Sequence, residues 1–253
     1  MKGNNGKAGA AYSALAEYYD FLAAEDDYES RGERLKFLAE KYANGKKCAD
    51  LACGSGYFTI KLKEIGFDVF GADISREMLT EAEKNSAQKG LFIEYRLQDI
   101  VNFKNFEKLD LVTVINDGFN YLDEEKMKKA FKSISKSLKT GGVMIFDVSS
   151  EFKIKQILAN NVFAEDLDDL TYLWFNELDG DRLTMSLTFF IKQGENYIRK
   201  DETHVQYAHS FDSISKALNE ASFEILKVFG DSYGETCDTD KRLNFVVGKK
   251  RER

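Results

Sequence analysis

The sequence predicts an α/β chain: a mostly parallel seven-stranded sheet whose last strand is antiparallel, with a small antiparallel sheet inserted after the fifth strand. Three observations predict it. Short apolar strands alternate with helices of 9–17 residues between positions 47 and 148, the signature of crossovers in a parallel sheet. The alternation then gives way to period-2 stretches between 171 and 207, as in hairpins. Finally, Gly230 to Lys241 has too little apolar periodicity for a crossover helix, so the two strands flanking it are expected to be antiparallel neighbours.

Residues 12–43 carry helical spacing, with Leu15, Tyr18, Tyr19 and Leu22 followed by Leu35, Leu38 and Tyr42. Lys47 to Ala52 reads as a buried strand. Tyr57 to Ile65 reads as a helix, with Phe58, Leu62 and Ile65 on one face and Gly66 as its stop. Phe67 to Ala72 is a second strand. Ser75 is an N-cap candidate for a helix running to Lys89, and Gly90 is its end. Leu91 to Leu97 and Leu109 to Ile115 are further strands. Asp123 to Lys139 is expected to be helical, with Met127, Phe131, Ile134 and Leu138 as its apolar stripe. Three acids open that helix and lysines close it, matching the helix dipole, and Gly141-Gly142 end it. Val143 to Val148 is almost continuously apolar, as a strand covered on both faces requires. A short helical piece, Phe152 to Ala159, precedes three strands: Thr171 to Glu177, Thr184 to Lys192 and Tyr197 to Tyr207. Asp179-Gly180 and Gly194 mark the turns between them. A helix from Phe211 to Ala221 and strands at Phe223–Phe229 and Leu243–Val247 close the chain. The expected organisation is a flexible tail at 1–10, a sheet domain made of 11–150 and 209–250, and a cap at 160–208.

The chain has 253 residues, 43% hydrophobic and 31% charged. A chain of this size buries roughly 70–75% of its unfolded surface and needs no disulfide or metal to hold a core. No apolar run approaches the ~18–20 residues of a membrane span, and the polar start lacks a signal-peptide core. Three cysteines, none in a Cys-x-x-Cys spacing, and two histidines make a zinc site or disulfide framework improbable. A cytoplasmic protein without a metal is expected. The net charge of −7 disfavours sequence-independent nucleic-acid binding.

The strongest site signal is a strand, then Asp50-Leu-Ala-Cys-Gly54-Ser55-Gly56-Tyr, then a helix. Glycines at such a turn let backbone approach a ligand, with helix-start amides facing it. Asp73 lies 17 residues past Gly56 at the end of the next strand, where a carboxylate can hold a ribose diol. Asp99 ends the third strand and suits an adenine amine. A dinucleotide fingerprint would need Gly or Ala where Thr59 stands. The turn has no Arg or Lys for a pyrophosphate, and Asp50 suits a cationic ligand end. S-adenosylmethionine has a diol, an adenine amine, an ammonium and a sulfonium, and no phosphate. Asp50 either meets that ammonium through water or orients the glycine turn. Cys53 reads as a small buried filler.

At these residues the chain resembles the class I S-adenosylmethionine-dependent methyltransferases. The resemblance lies in Asp-Leu-Ala-Cys-Gly-Ser-Gly (50–56), Gly-Ala-Asp-Ile-Ser-x-x-Met-Leu (71–79), Gln-Asp-Ile (98–100) and Leu-Lys-Thr-Gly-Gly-Val-x-Ile-Phe-Asp (138–147). A narrower likeness is carried by Tyr12-x-x-Leu-Ala-x-x-Tyr19-Asp20, Asn116-Asp-Gly-Phe-Asn-Tyr-Leu122 and Asp-Glu-Thr-His204. These are similar to bacterial small-molecule methyltransferases related to glycine N-methyltransferase and the aminosugar N,N-dimethyltransferases. The resemblance implies a Rossmann-like sheet with an antiparallel cap over the methyl donor. It also implies cofactor contacts from Tyr12, Tyr19, Gly54, Ser55, Gly56, Asp73, Ile74, Met78, Asp99, Ile100 and Asn116. The implied product is S-adenosylhomocysteine.

The expected acceptor is the nitrogen or oxygen of a small molecule, taken up by a monomer or homodimer. Exocyclic base amines are methylated beside an Asn/Asp-Pro-Pro-aromatic turn, whereas this chain has no proline and carries Asn116-Asp117-Gly118-Phe119. Cytosine C5 chemistry needs a nucleophilic Cys there, and Cys53 sits in the glycine turn instead. Asn120, Tyr121, Trp174, His204, Tyr207 and Tyr233 are candidates for the acceptor side, and His204, Tyr121 and Asp117 for proton transfer. Several of these readings have a plainer alternative: Asp73 and Asp99 as strand-end turn acids, Tyr12 and Tyr19 as core packing, His204 as a structural histidine, and Trp174, Tyr207 and Tyr233 as packing of the cap on the core. The rival functions are an RNA or protein methyltransferase, a non-catalytic S-adenosylmethionine-binding module, and a nucleotide-dependent oxidoreductase.

Overall fold

The computed structural model describes residues 28–231 and 233–250. The chain opens with α1 (Tyr28–Tyr42), then alternates β1 (Lys47–Leu51), α2 (Tyr57–Glu64), β2 (Asp68–Asp73), α3 (Arg76–Gln88), β3 (Glu94–Leu97), β4 (Leu109–Val114), α4 (Glu124–Ser137) and β5 (Leu138–Ser149). A second sheet follows, made of β6 (Val162–Asp166), β7 (Leu170–Asp179), β8 (Arg182–Gln193) and β9 (Asn196–Tyr207). The chain then returns through α5 (Phe211–Glu220), β10 (Phe223–Phe229) and β11 (Arg242–Lys249). The first sheet has the order β10-β11-β5-β4-β1-β2-β3. Its strands are parallel except β11, which is antiparallel to both neighbours.

Alternation along each central strand builds two cores. Ala49, Leu51, Val112, Val114, Met144, Phe146 and Val148 join Phe131 and Ile134 of α4 and Ile214 and Leu218 of α5 on one face. Cys48, Leu111, Val143 and Ile145 join Leu35 and Leu38 of α1 and Phe58 and Leu62 of α2 on the other. Strands covered on both faces must be apolar throughout, which is what the sequence shows. The smaller sheet has its own core, where Leu183, Met185, Leu187, Phe189 and Ile191 of β8 pack with Ile154 and Leu158.

The observed elements depart from the periodicity at four places. Leu91 was expected to open β3, but its amide bonds to Ser86 O at 3.0 Å while that of Gly90 bonds to Ala87 O at 2.9 Å. This left-handed glycine closure assigns Leu91 to the end of α3. Leu138 completes the apolar stripe of α4 yet belongs to β5, paired with Leu109. Lys139–Gly142 then loops out, with Gly141 at φ 76, before Val143 pairs with Leu111. The helical piece is Lys153–Leu158, where the amide of Ala159 reaches Ile154 O at 3.0 Å, a five-residue step. Finally, β6 is a fourth cap strand that the sequence did not reveal. It is an edge strand with almost every residue exposed, so it lacks the half-buried alternation that marks a strand. Among the described residues no helix is long and apolar enough to cross a membrane.

Candidate functional site

Strands β1 and β4 are neighbours in the sheet, while the chain continues from β1 outward through β2 to β3. The strand order therefore reverses between them, which opens a crevice at their carboxyl ends. Beyond β1 the backbone turns sharply, with left-handed φ at Ala52 (52), Gly54 (53) and Gly56 (84). Among the described residues a Cβ on Gly54 would meet nothing within 4 Å, so against them the turn presents bare backbone to open space. A Cβ on Gly56 would instead strike the Tyr95 hydroxyl at 2.7 Å and Ala82 at 2.9 Å. Gly54 thus faces outward while Gly56 lets α2 seat against α3.

Asp73 stands across the turn. Its Oδ2 accepts the Gly54 amide and its Oδ1 the Ser75 amide, both at 2.9 Å. Burial pushes its pKa up, while these amide bonds pull it back. Asp50 lies beneath the turn and is closed off: Thr59 donates to it at 2.5 Å and Thr113 at 2.7 Å. Burial raises its pKa to about 6. Its two oxygens tie α2 to β4 beneath the turn. Thr59 is the fully buried partner that secures it. Cys53 is half-buried, and burial pushes its thiol pKa well up, leaving a packed thiol.

Beside Asp73, Ile74 is 45% exposed, an apolar side chain held out at the crevice edge. Asp99 caps the turn Ile100–Asn102 by accepting the Val101 amide at 2.9 Å, and both Asp99 and Ile100 are half-exposed. Ser55 is buried, with its carbonyl accepting from Asn85 at 3.0 Å. Met78 is also buried; its amide completes the Ser75 cap at 3.2 Å, so it supports the site from below.

The end of β4 is strained as well. Asn116 and Asp117, neither a glycine, hold φ of 75 and 52, which costs about 1–3 kcal/mol each and persists only where surroundings fix it. The fixing groups come from far along the chain. Arg31 of α1 donates to Asn116 Oδ1 at 3.1 Å and to Asp147 Oδ2 at 2.9 Å. Asp147 Oδ1 takes the Asp117 amide at 2.6 Å and Arg242 Nη1 at 3.1 Å. Asp117 accepts Arg242 at 3.2 Å and Gln206 of the cap at 2.7 Å. Burial alone would raise the Asp117 pKa, but Arg242, Lys153, Gln206 and Arg31 outweigh it and hold the carboxyl below its usual range. Tyr233 has its hydroxyl pKa raised by burial and by Asp147, with Arg31 and Arg242 opposing, which places it beside the same charges.

The cap meets this crevice along β9. Glu202, His204 and Gln206 are buried at alternate positions and share one face with Leu187, Met185 and Leu183 of β8. His204 Nδ1 lies 3.4 Å from the Tyr121 hydroxyl and its Nε2 lies 3.1 Å from Glu202. Trp174 opposes Leu187 on that face, donates to Asn176 and packs on Phe163 with ring centroids 5.3 Å apart. Tyr207 alternates to the other face, and its carbonyl accepts from Asn120. Asn120 is fully buried: it donates to Ser149 O and Tyr207 O at 3.0 Å and accepts the Ser149 amide at 2.9 Å. It clamps the cap to β5 instead of presenting its amide to a ligand. Tyr12 and Tyr19 lie outside the described residues. Sequence reasoning missed Arg31, Asp147, Arg242, Glu202 and Gln206 as members of the site. One signal was present: Asp147 interrupts an otherwise apolar strand, and a buried acid there requires a partner.

The residues present fit S-adenosylmethionine. Open backbone at Gly54, a buried acid across from it and an exposed apolar side chain next to that acid suit an uncharged nucleoside better than a pyrophosphate. Fold and site together define a class I methyltransferase. The chain belongs to the S-adenosylmethionine-dependent methyltransferases. The family model described as "Methyltransferase domain" matches residues 48–142. The chain is similar to the "Putative methyltransferase YqeM" of Bacillus subtilis (strain 168), 32% identical over 246 residues that cover 95% of this chain and 98% of the relative. The crystal structure of an S-adenosylmethionine-dependent methyltransferase from Clostridium acetobutylicum ATCC 824 superposes with TM-score 0.88 at 34% identity, covering 95% and 99% of the two chains. The glycine/sarcosine N-methyltransferase of Halorhodospira halochloris is 30% identical over 260 residues, covering 94% of this chain and 90% of that one. Among the described residues no three His, Cys, Asp or Glu side chains are grouped to hold a metal ion.

Proposed function

We propose that this chain methylates a nitrogen or oxygen of a small molecule and releases S-adenosylhomocysteine. Gly54, Gly56, Asp73, Ile74, Asp99, Ile100 and Asn116 hold the cofactor in this reading. When bound, S-adenosylmethionine supplies an electrophilic methyl group: the acceptor lone pair forms the new bond as the carbon–sulfur bond breaks toward sulfur. The protein's task is then to align the acceptor and exclude water. Residues 160–208 serve as a cap on a domain made of 11–150 and 209–250.

The observation that carries the reading is the pairing of an open glycine turn with Asp73, 2.9 Å from the Gly54 amide. The cap supports a small acceptor, because Gln206, His204 and Asn120 draw β9 down onto the turn after β4. The net charge of −7 suits a small molecule better than a nucleic acid, and a relative similar over nearly its whole length is named for glycine and sarcosine. Calorimetric titration with S-adenosylmethionine, S-adenosylhomocysteine and NAD tests the cofactor. Transfer of labelled methyl to a panel of amines and alcohols tests the acceptor. Micromolar binding of both sulfur ligands, none of NAD, and label in an amine or alcohol is expected. Transfer to RNA or protein alone would overturn the small-molecule reading.

A further inference from the structure

We propose that Tyr121, His204 and Glu202 form a relay that takes up the proton an acceptor loses on methylation; the inference rests on the methyl-transfer reading above. A strand that buries one face ordinarily buries apolar side chains there, and β8 does so with Leu183, Met185 and Leu187. Its partner β9 buries Gln206, His204 and Glu202 directly opposite them. Packing does not ask for this row, since burying polar groups is unfavourable unless each finds a partner. Gln206 finds Asp117, which Arg242 already balances. His204 and Glu202 find each other at 3.1 Å, with side chains 5% and 1% exposed.

The geometry orders the proton positions. Glu202 at Nε2 holds the ring proton on that nitrogen, which leaves Nδ1 as an acceptor facing the Tyr121 hydroxyl. Tyr121 ends the turn Gly118–Tyr121 at the carboxyl end of β4, on the crevice side of the sheet. An ammonium passes its proton to the Tyr121 oxygen before transfer, which frees the lone pair that attacks the methyl group, and a hydroxyl passes its proton as the new bond forms; in both cases the phenolic proton moves on to His204 Nδ1. The imidazolium is balanced by Glu202 and later returns one proton to solvent per methyl transferred. Tyr121 is the group that touches the acceptor; His204 and Glu202 act through it. The relay selects acceptors that carry a proton to lose, an ammonium or a hydroxyl, over nucleophiles that have none. The other histidine has no such role. His209 bonds the Leu122 carbonyl at 2.9 Å, and burial lowers its pKa.

The chain holds only two histidines, so 15N-imidazole spectra of the full-length protein, assigned with His209→Gln, read the relay without any acceptor. The expected spectrum shows His204 protonated at Nε2, with an Nδ1 signal that shifts in Tyr121→Phe and an Nε2 signal that shifts in Glu202→Gln. In parallel, ethanolamine and glycine are offered as acceptors with S-adenosylmethionine. Tyr121→Phe and His204→Gln are expected to lower kcat at least tenfold, within the usual range for proton transfer, with S-adenosylhomocysteine affinity unchanged within about twofold. An Nδ1-protonated ring, an Nδ1 signal indifferent to Tyr121→Phe, or unchanged kcat in both variants overturns the relay. If neither probe is methylated while S-adenosylhomocysteine binds, the choice of acceptor fails, and the relay is decided by the spectra alone.

Discussion

The side-chain amide of Asn120 donates to the carbonyl of Tyr207 across 3.0 Å, fastening the turn after β4 to the last residue of β9. The same side chain exchanges two bonds with Ser149 at the end of β5. Removing it leaves two carbonyls and an amide without that partner in a buried place, each worth about 1–3 kcal/mol. Asn120→Ala is therefore expected to lose about 3 kcal/mol of stability and to speed hydrogen exchange in β9 before the central sheet. Uniform protection across both sheets would show that the clamp does not couple them.

Gly54 and Gly56 separate ligand contact from packing. Gly54→Ala meets no atom of the described residues, so the cost to folding is expected to be that of the left-handed backbone, about 1–2 kcal/mol. Its methyl enters the space assigned to the cofactor, and affinity for S-adenosylhomocysteine is expected to fall at least tenfold. Gly56→Ala adds overlap with Tyr95 and Ala82, so thermal unfolding should register it as the more destabilising of the two. Unchanged affinity in Gly54→Ala would remove that turn from the binding site.

Asp147 stands between two arginines, Arg31 at 2.9 Å and Arg242 at 3.1 Å. Asp147→Ala leaves both guanidinium groups buried with less compensation, which is expected to cost about 3–5 kcal/mol. The urea midpoint measures this, and Asp147→Asn, which keeps an acceptor, should lose less. A loss below about 1 kcal/mol for the alanine variant would mean that water replaces the carboxylate.

Asp50 makes a pH prediction with a definite sign. Its folded pKa, about 6, lies above its ordinary value of 3.8, because burial penalises the charged form. The stability it contributes is therefore fully present below the lower value and lost as pH rises through the higher one. A shift of about two units corresponds to about 3 kcal/mol. Asn at this position does not titrate, so the stability of Asp50→Asn relative to the parent should rise by about that amount between about pH 4 and pH 7. A difference independent of pH would place the Asp50 pKa at its ordinary value.

Much of this protein was determined by short-range pattern. Strand and helix periods, the glycine turn at 54–56, the acids at 73 and 99 and the hairpin glycines all lie within a few residues of what they specify. The sequence was therefore enough for the fold class and for the methyltransferase family. It failed where local signals conflict or vanish: Leu138 continues a helical stripe but is captured by Leu109, and the exposed β6 shows no alternation. The contacts around the turn after β4 were decided by tertiary structure. Arg31 and Asp147 meet across 116 residues and Asp147 and Arg242 across 95, and Tyr121 meets His204 only because the cap folds back over the crevice. A residue's period says which face it lies on, but the partner on that face is chosen by the packing of distant segments. Buried charges carry no period of their own, so their pairing is fixed only when the chain closes around them.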